Sequence, residues 1–154
     1  MEKNACIVVP VDGSETSIQA MDVAFELAEA TDAKIIFLHC TYFDSSTDDA
    51  ADSWLPEGIA TDPVGDMMED VRRVVAERLP KEIDAEFARR VGDPAKETVE
   101  FAEQKKAGLI VMGARGLSVA QGFLLGSVSQ DVMENAKCAV LIVKQRRQED
   151  VFSW

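Results

Sequence analysis

Short apolar runs alternate with amphipathic stretches from one end of this chain to the other, and that rhythm leaves few folds open. Residues 5–11, 34–40, 109–112 and 139–143 are almost wholly apolar and too short for core helices, so they read as strands buried on both faces. Between 83 and 88 the pattern changes: Ile83, Ala85 and Phe87 alternate with Asp84, Glu86 and Ala88, which predicts a strand exposed on one face near a sheet edge. The intervening segments carry apolar residues at helical spacing. Ile18, Met21, Phe25 and Ala28 form one stripe; Met67, Met68, Val71, Val74, Val75 and Leu79 form another; Val128, Val132 and Ala136 form a shorter one. Five strands alternating with four helices predict an α/β protein, its parallel sheet covered by helices on both faces.

The punctuation agrees with this division. Thr16 with Gln19, and Ser127 with Gln130, have the spacing of capping boxes. Asp62-Pro63 and Asp93-Pro94 place a cap before proline at the first helical position. Pro80 stops one helix, and Gly108 is the expected stop of the helix that runs to about Lys106. Residues 41–61 form an irregular loop whose Asp44, Asp48, Asp49 and Asp52 lack the glycine and terminal glutamate of a calcium loop, so they read as solvated. Trp54, Leu55 and Ile59 are its apolar anchors, and 144–154 is a charged C-terminal tail. The whole of 1–154 reads as one domain.

Charge narrows the partners. Twenty-eight acidic against sixteen basic residues give a formal charge of −12, which disfavours nucleic acid and anionic lipid. A protein this acidic would need a cation to hold a polyphosphate, so Mg2+ is expected with any such ligand. Cys6, Cys40 and Cys138 lie far apart in or beside apolar runs, as free thiols do in a reducing compartment. No apolar run approaches the roughly 20 residues that span a bilayer, and no signal-peptide pattern opens the chain, so a cytoplasmic location without membrane insertion is expected.

One loop carries the chemistry. Gly113 and Gly116, then Gly126-Ser127, lie between the apolar run 109–112 and a helix start. Glycines there let backbone approach a ligand, and N–H groups at a helix start favour anions. The loop also contains Leu117, Val119, Phe123, Leu124 and Leu125, more apolar than a plain surface connection. It has neither the lysine of a Walker A loop nor the glycine spacing of a dinucleotide fold, so it reads as a phosphate site of another kind. Gly113→Val or Gly126→Val is therefore expected to abolish binding and leave the fold intact. Asp12, Cys40 and the glycine loop each follow a strand end and should converge in one cleft. Pro10 is tolerable only because it ends its strand, while Gly13 and Ser14 serve a turn and a cap. His39 ends a buried strand with no triad partner nearby, and it reads as a structurally satisfied residue.

Gly113-x-x-Gly116, nine residues, then Gly126-Ser127, together with Val9-Pro10-Val11-Asp12-Gly13-Ser14, Leu38-His39 and Val140-Leu141-Ile142-Val143, resembles the nucleotide-binding type of universal stress protein. The resemblance covers nearly the whole chain. It implies an open five-stranded parallel sheet of order 3-2-1-4-5, Rossmann-like and adenine nucleotide alpha hydrolase-like, and a homodimer formed through the last strand. It also implies roles for individual residues. Pro10, Val11 and Asp12 close one side of a nucleoside pocket, with Val11 backbone groups on the adenine edge and Asp12 near ribose or phosphates. Cys40 stands where the family usually has valine against adenine, and Met112 and Gly113 lie along the ribose. Gly116, Gly126, Ser127, Val128 and Ser129 face the phosphates. Arg115 is the one basic residue between Gly113 and Gly126, where relatives often carry more.

The function expected is a regulatory module in stress response that responds to ATP, AMP or ADP and acts on a partner protein. The alternative is a slow ATPase or autophosphorylating enzyme; against it, the phosphate loop has no lysine and no evident base for activating water.

Overall fold

The computed structural model describes residues 5–41, 63–114 and 125–144, the side chains of 63–68 excepted. Five strands and four helices alternate through them: β1 (Cys6–Pro10), α1 (Glu15–Thr31), β2 (Lys34–Thr41), α2 (Pro63–Arg78), β3 (Ala85–Val91), α3 (Pro94–Gln104), β4 (Leu109–Gly113), α4 (Ser127–Asn135) and β5 (Ala139–Val143). The strands pair in parallel in the order β3-β2-β1-β4-β5. Parallel neighbours need crossovers, and the helices supply them on both faces.

Strand periodicity then divides the core in two. Ile7, Val9 and Val11 of the first strand region, with Ile35 and Phe37 of β2, face α1 and α2, where they meet Met21, Phe25, Val71 and Val75. Cys6 and Val8, with Ile36 and Leu38, face the opposite way and meet Phe101, Ile110, Met112 and Val132 beneath α3 and α4. Both faces of β1 and β2 are therefore dry, which explains their unbroken apolar sequence. The edges differ: β3 is half-exposed along its length, and β5 leaves Leu141 38% exposed.

Several boundaries depart from the sequence reading. The cap of α1 is Ser14, whose Oγ accepts the Ser17 N–H, so Thr16 lies inside the helix. Gly13, at φ +83°, makes the tight turn that sets Ser14 there. Gly126 precedes α4, so Ser127 is its first residue and makes no side-chain cap. The chain leaves α3 through Lys106, at φ +54°, whereas Gly108 was the expected stop. β3 runs on through Arg89, Arg90 and Val91 because long arginine stems cover apolar surface; the Arg90 guanidinium lies 5.0 Å from the Phe101 ring centroid. Asp93 caps α3 as expected, accepting the Lys96 N–H. The expectations for Asp62, the side chains of Met67 and Met68, the acidic loop with Trp54, Leu55 and Ile59, and the C-terminal tail lie outside the described residues.

Candidate nucleotide site

The sheet opens where its order reverses. β1 stays paired with β2 as far as Pro10 with Leu38, but its register with β4 comprises Ile7 with Leu109 and Val8 with Ile110. The nitrogen of Pro10 faces the β4 side, because Val11, the next residue, donates toward β2. A residue without an N–H therefore sits where the β1–β4 ladder has ended, and Pro10 costs the sheet no bond there. Beyond this point the ends of β1 and β4, the turn into α1 and the start of α4 come together, at the place where open parallel sheets take ligands.

Helix starts around the sheet differ in one respect. α1 is capped by Ser14 and carries Glu15 in its first turn; α3 is capped by Asp93 and carries Glu97. α4 has no side-chain cap and no acidic residue in its first turn. Its first intrahelical bond runs from Gln130 N–H to the Gly126 carbonyl, at 3.0 Å. The N–H groups of Ser127, Val128 and Ser129 thus have no place in the helix ladder. They carry the positive end of the helix dipole, and the Ser127 side chain stands exposed beside them. Such a helix start is chemically suited to an anion.

Other expected contacts prove to be spent within the protein. The Ser129 hydroxyl is buried and donates to the Gly113 and Ala114 carbonyls at 2.8 and 3.1 Å, so it ties β4 to α4 and does not face a phosphate. The Gly126 N–H donates to the Ala114 carbonyl at 2.7 Å. The Val11 N–H donates to the Leu38 carbonyl at 2.9 Å, and the Val11 carbonyl accepts from His39 Nδ1 at 2.8 Å. That corrects the assignment of Val11 backbone groups to the adenine edge: its N–H is used, and only a second lone pair on its carbonyl remains. Met112 is 4% exposed with its side chain in the core, so only its backbone is left for a contact with any ligand.

Gly113 needs a different account. A Cβ there would lie 2.6 Å from Thr16 Oγ1 and 2.8 Å from the Thr16 carbonyl carbon. The glycine lets α1 lie close on β4, so a larger residue disturbs the fold before it reaches any ligand. Asp12 is half-buried, its Oδ1 accepts the Ser14 N–H at 2.8 Å, and its second oxygen makes no hydrogen bond to another of the described residues. Arg115 and Gly116 lie outside the described residues. The sequence reading treated His39 as satisfied, and the structure half agrees: Nδ1 is bonded, while the buried Nε2 has no hydrogen-bond partner.

Cys40, at the end of β2, is half-buried against α3, with Sγ 3.9 Å from Thr98 Oγ1. Burial pushes its thiol from the ordinary 9.0 up to about 11, and the contact with Thr98 offsets only part of that. Burial also raises the Cys6 and Cys138 thiols. The folded chain therefore keeps protons that the unfolded chain releases above pH 9, so this contribution is complete below 9 and is lost by about 11. Urea unfolding across that range should show stability falling with pH, less steeply in Cys40→Ala; an equal slope in the variant would contradict the assignment.

An open parallel sheet of order β3-β2-β1-β4-β5, with an uncapped helix start beside its point of reversed order, defines a doubly wound α/β protein. The chain belongs to the universal stress protein family, whose model matches residues 5–144. It is 37% identical over 145 residues to Universal stress protein MJ0531 of Methanocaldococcus jannaschii, covering 93% of this chain and 84% of that one. It is 35% identical over 140 residues to Universal stress protein Rv1636 of Mycobacterium tuberculosis, covering 89% and 94%. Among solved structures, a universal stress protein in complex with cAMP is 32% identical with a TM-score of 0.64, covering 93% of this chain and 98% of that one. A universal stress protein of Archaeoglobus fulgidus in complex with dAMP shares the fold at 22% identity and a TM-score of 0.64, covering 93% and 100%. No helix among the described residues is long and apolar enough to cross a membrane.

Proposed function

We propose that this chain is a nucleotide-responsive regulatory module of stress response, and that it binds an adenine mononucleotide in the crevice between β1 and β4. The observation that carries the reading is the uncapped start of α4, where three N–H groups and the exposed Ser127 hydroxyl offer a seat for phosphate oxygens. The cAMP complex of the 32%-identical relative supports adenine as the base. Cys40 and Pro10 at the strand ends are apolar surfaces of the right kind for it, and Asp12 suits ribose hydroxyls or a phosphate-bound cation. Mg2+ would be held chiefly by the nucleotide, with the open oxygen of Asp12 as the protein ligand, since Mg2+ usually takes one or two carboxylates beside phosphates. ATP, ADP and AMP all fit that chemistry. The regulated partner would be a protein that distinguishes the empty from the loaded crevice, in the cytoplasm.

Denaturing the purified chain and analysing the released ligand by mass spectrometry should yield adenine nucleotide; an absence of ligand together with no calorimetric binding of ATP or AMP would sink the proposal. The same reading makes the protein a homodimer through β5. Among the described residues that strand is an edge of the sheet, with Leu141 at 38% and, on the neighbouring α4, Met133 at 45% exposure, and such an edge calls for cover. Leu141→Lys should shift the sedimentation mass from dimer to monomer. A wild-type chain that sediments as a monomer at all concentrations would contradict the dimer.

A further inference from the structure

We propose that His39 is a positioning residue of the crevice: its imidazole Nδ1–H clamps the Val11 carbonyl and so fixes the Asp12-Gly13-Ser14 turn against β2. The inference rests on the nucleotide reading for its effect on affinity, but not for the clamp itself. A carbonyl oxygen can only accept, so the 2.8 Å contact puts the ring proton on Nδ1. Nε2, buried and without a hydrogen-bond partner, contributes no second bond that would favour the opposite tautomer. The ring is 3% exposed, so water does not compete for Val11.

The clamp sits where the sheet needs one. Past Pro10 the β1–β4 register has ended, and the chain enters the turn held from one side only. That side is β2, through the Val11 N–H on the Leu38 carbonyl and His39 on the Val11 carbonyl. One residue later Asp12 accepts the Ser14 N–H, and Gly13 takes its left-handed conformation. An imidazole on the neighbouring strand thus sets where the Asp12 carboxylate stands, with no contact to any ligand of its own.

Three readings test this. In the nitrogen NMR spectrum of the ligand-free chain at mildly alkaline pH, His39 should show the Nδ1–H tautomer; an Nε2–H ring would overturn the clamp. His39→Leu should speed amide exchange at Asp12, Gly13 and Ser14 and weaken AMP binding about tenfold, the worth of one buried hydrogen bond. His39→Asn, whose amide N–H reaches about where Nδ1 does, should restore most of both, whereas His39→Gln should not. A His39→Leu chain that loses thermal stability but keeps wild-type exchange at the turn and wild-type affinity would reduce His39 to core packing and overturn the proposal. A wild-type chain that binds no adenine nucleotide would instead defeat the nucleotide reading and the affinity role, while tautomer and exchange still decide the clamp. Should His39→Leu fail to fold, the tautomer and the Asn and Gln pair decide it.

Discussion

Gly113→Val should cost the fold about 3 kcal/mol, at the upper end of what overpacking a tight contact does. The reason is local. Even the first added carbon falls 2.8 Å from the backbone of Thr16, and backbone in the first turn of a capped helix cannot swing aside as a flexible side chain would. α1 must lift from β4, and it carries Ala20, Met21, Ala24 and Phe25 of the core with it. Urea unfolding followed by circular dichroism reads the loss directly, and Gly113→Ala should show a smaller loss of the same sign. A valine variant as stable as the parent would mean that α1 does not lie against β4 as described. This outcome reverses the expectation drawn from the sequence, in which the glycine made room for a ligand and its replacement spared the fold. Any loss of nucleotide binding in Gly113→Val would follow from the damaged packing and would say nothing about the phosphate seat.

Ser127→Asp separates binding from folding more cleanly, because it should move them in opposite directions. α4 has no acidic residue in its first turn and no side-chain cap, so a carboxylate there meets N–H groups outside the helix ladder and the positive end of the helix. Stability should rise by about 0.5 kcal/mol, a typical exposed helix-dipole gain. The same carboxylate occupies the anion seat and repels a phosphate, and an effective dielectric near 20 makes that worth several kcal/mol at about 4 Å. Screening and rearrangement reduce it, and a loss of AMP affinity of about a hundredfold is expected. Calorimetry and thermal melts on one preparation check both signs. If affinity is untouched while the melting temperature rises, the helix start is open but no phosphate uses it.

The fold was more legible in the sequence than the site. Residues buried on both faces of a parallel sheet must be apolar one after another, so β1, β2 and β4 declare themselves within a residue or two. β5 reads the same way in sequence, yet it is an edge strand with Ala139 and Leu141 exposed. β3 was harder to delimit because Arg89 and Arg90 break the apolar pattern while their stems do apolar packing. The strand order came through the family resemblance, since periodicity says nothing about which strands are neighbours. The glycine spacing singles out one loop as the candidate, but a one-dimensional pattern does not reveal who each donor bonds. Ser127 and Ser129 look alike as hydroxyls near a helix start, yet one is exposed and the other is buried on the carbonyls of Gly113 and Ala114. Likewise Val11 looks free at a strand end, and His39, 28 residues later, holds its carbonyl. Ser14 and Thr16 are both sound helix caps by type. The choice fell to Ser14 because the Asp12 side chain and the left-handed Gly13 set the turn two residues earlier.

Of all these tests, the most direct is a titration of nitrogen-labelled protein with AMP followed by amide NMR. Saturable shifts should centre on the Ser127, Val128 and Ser129 amides and extend to Asp12 and Gly13, at one nucleotide per chain. Amides at the start of α4 that stay still under excess nucleotide, whatever moves elsewhere, would contradict a phosphate held there.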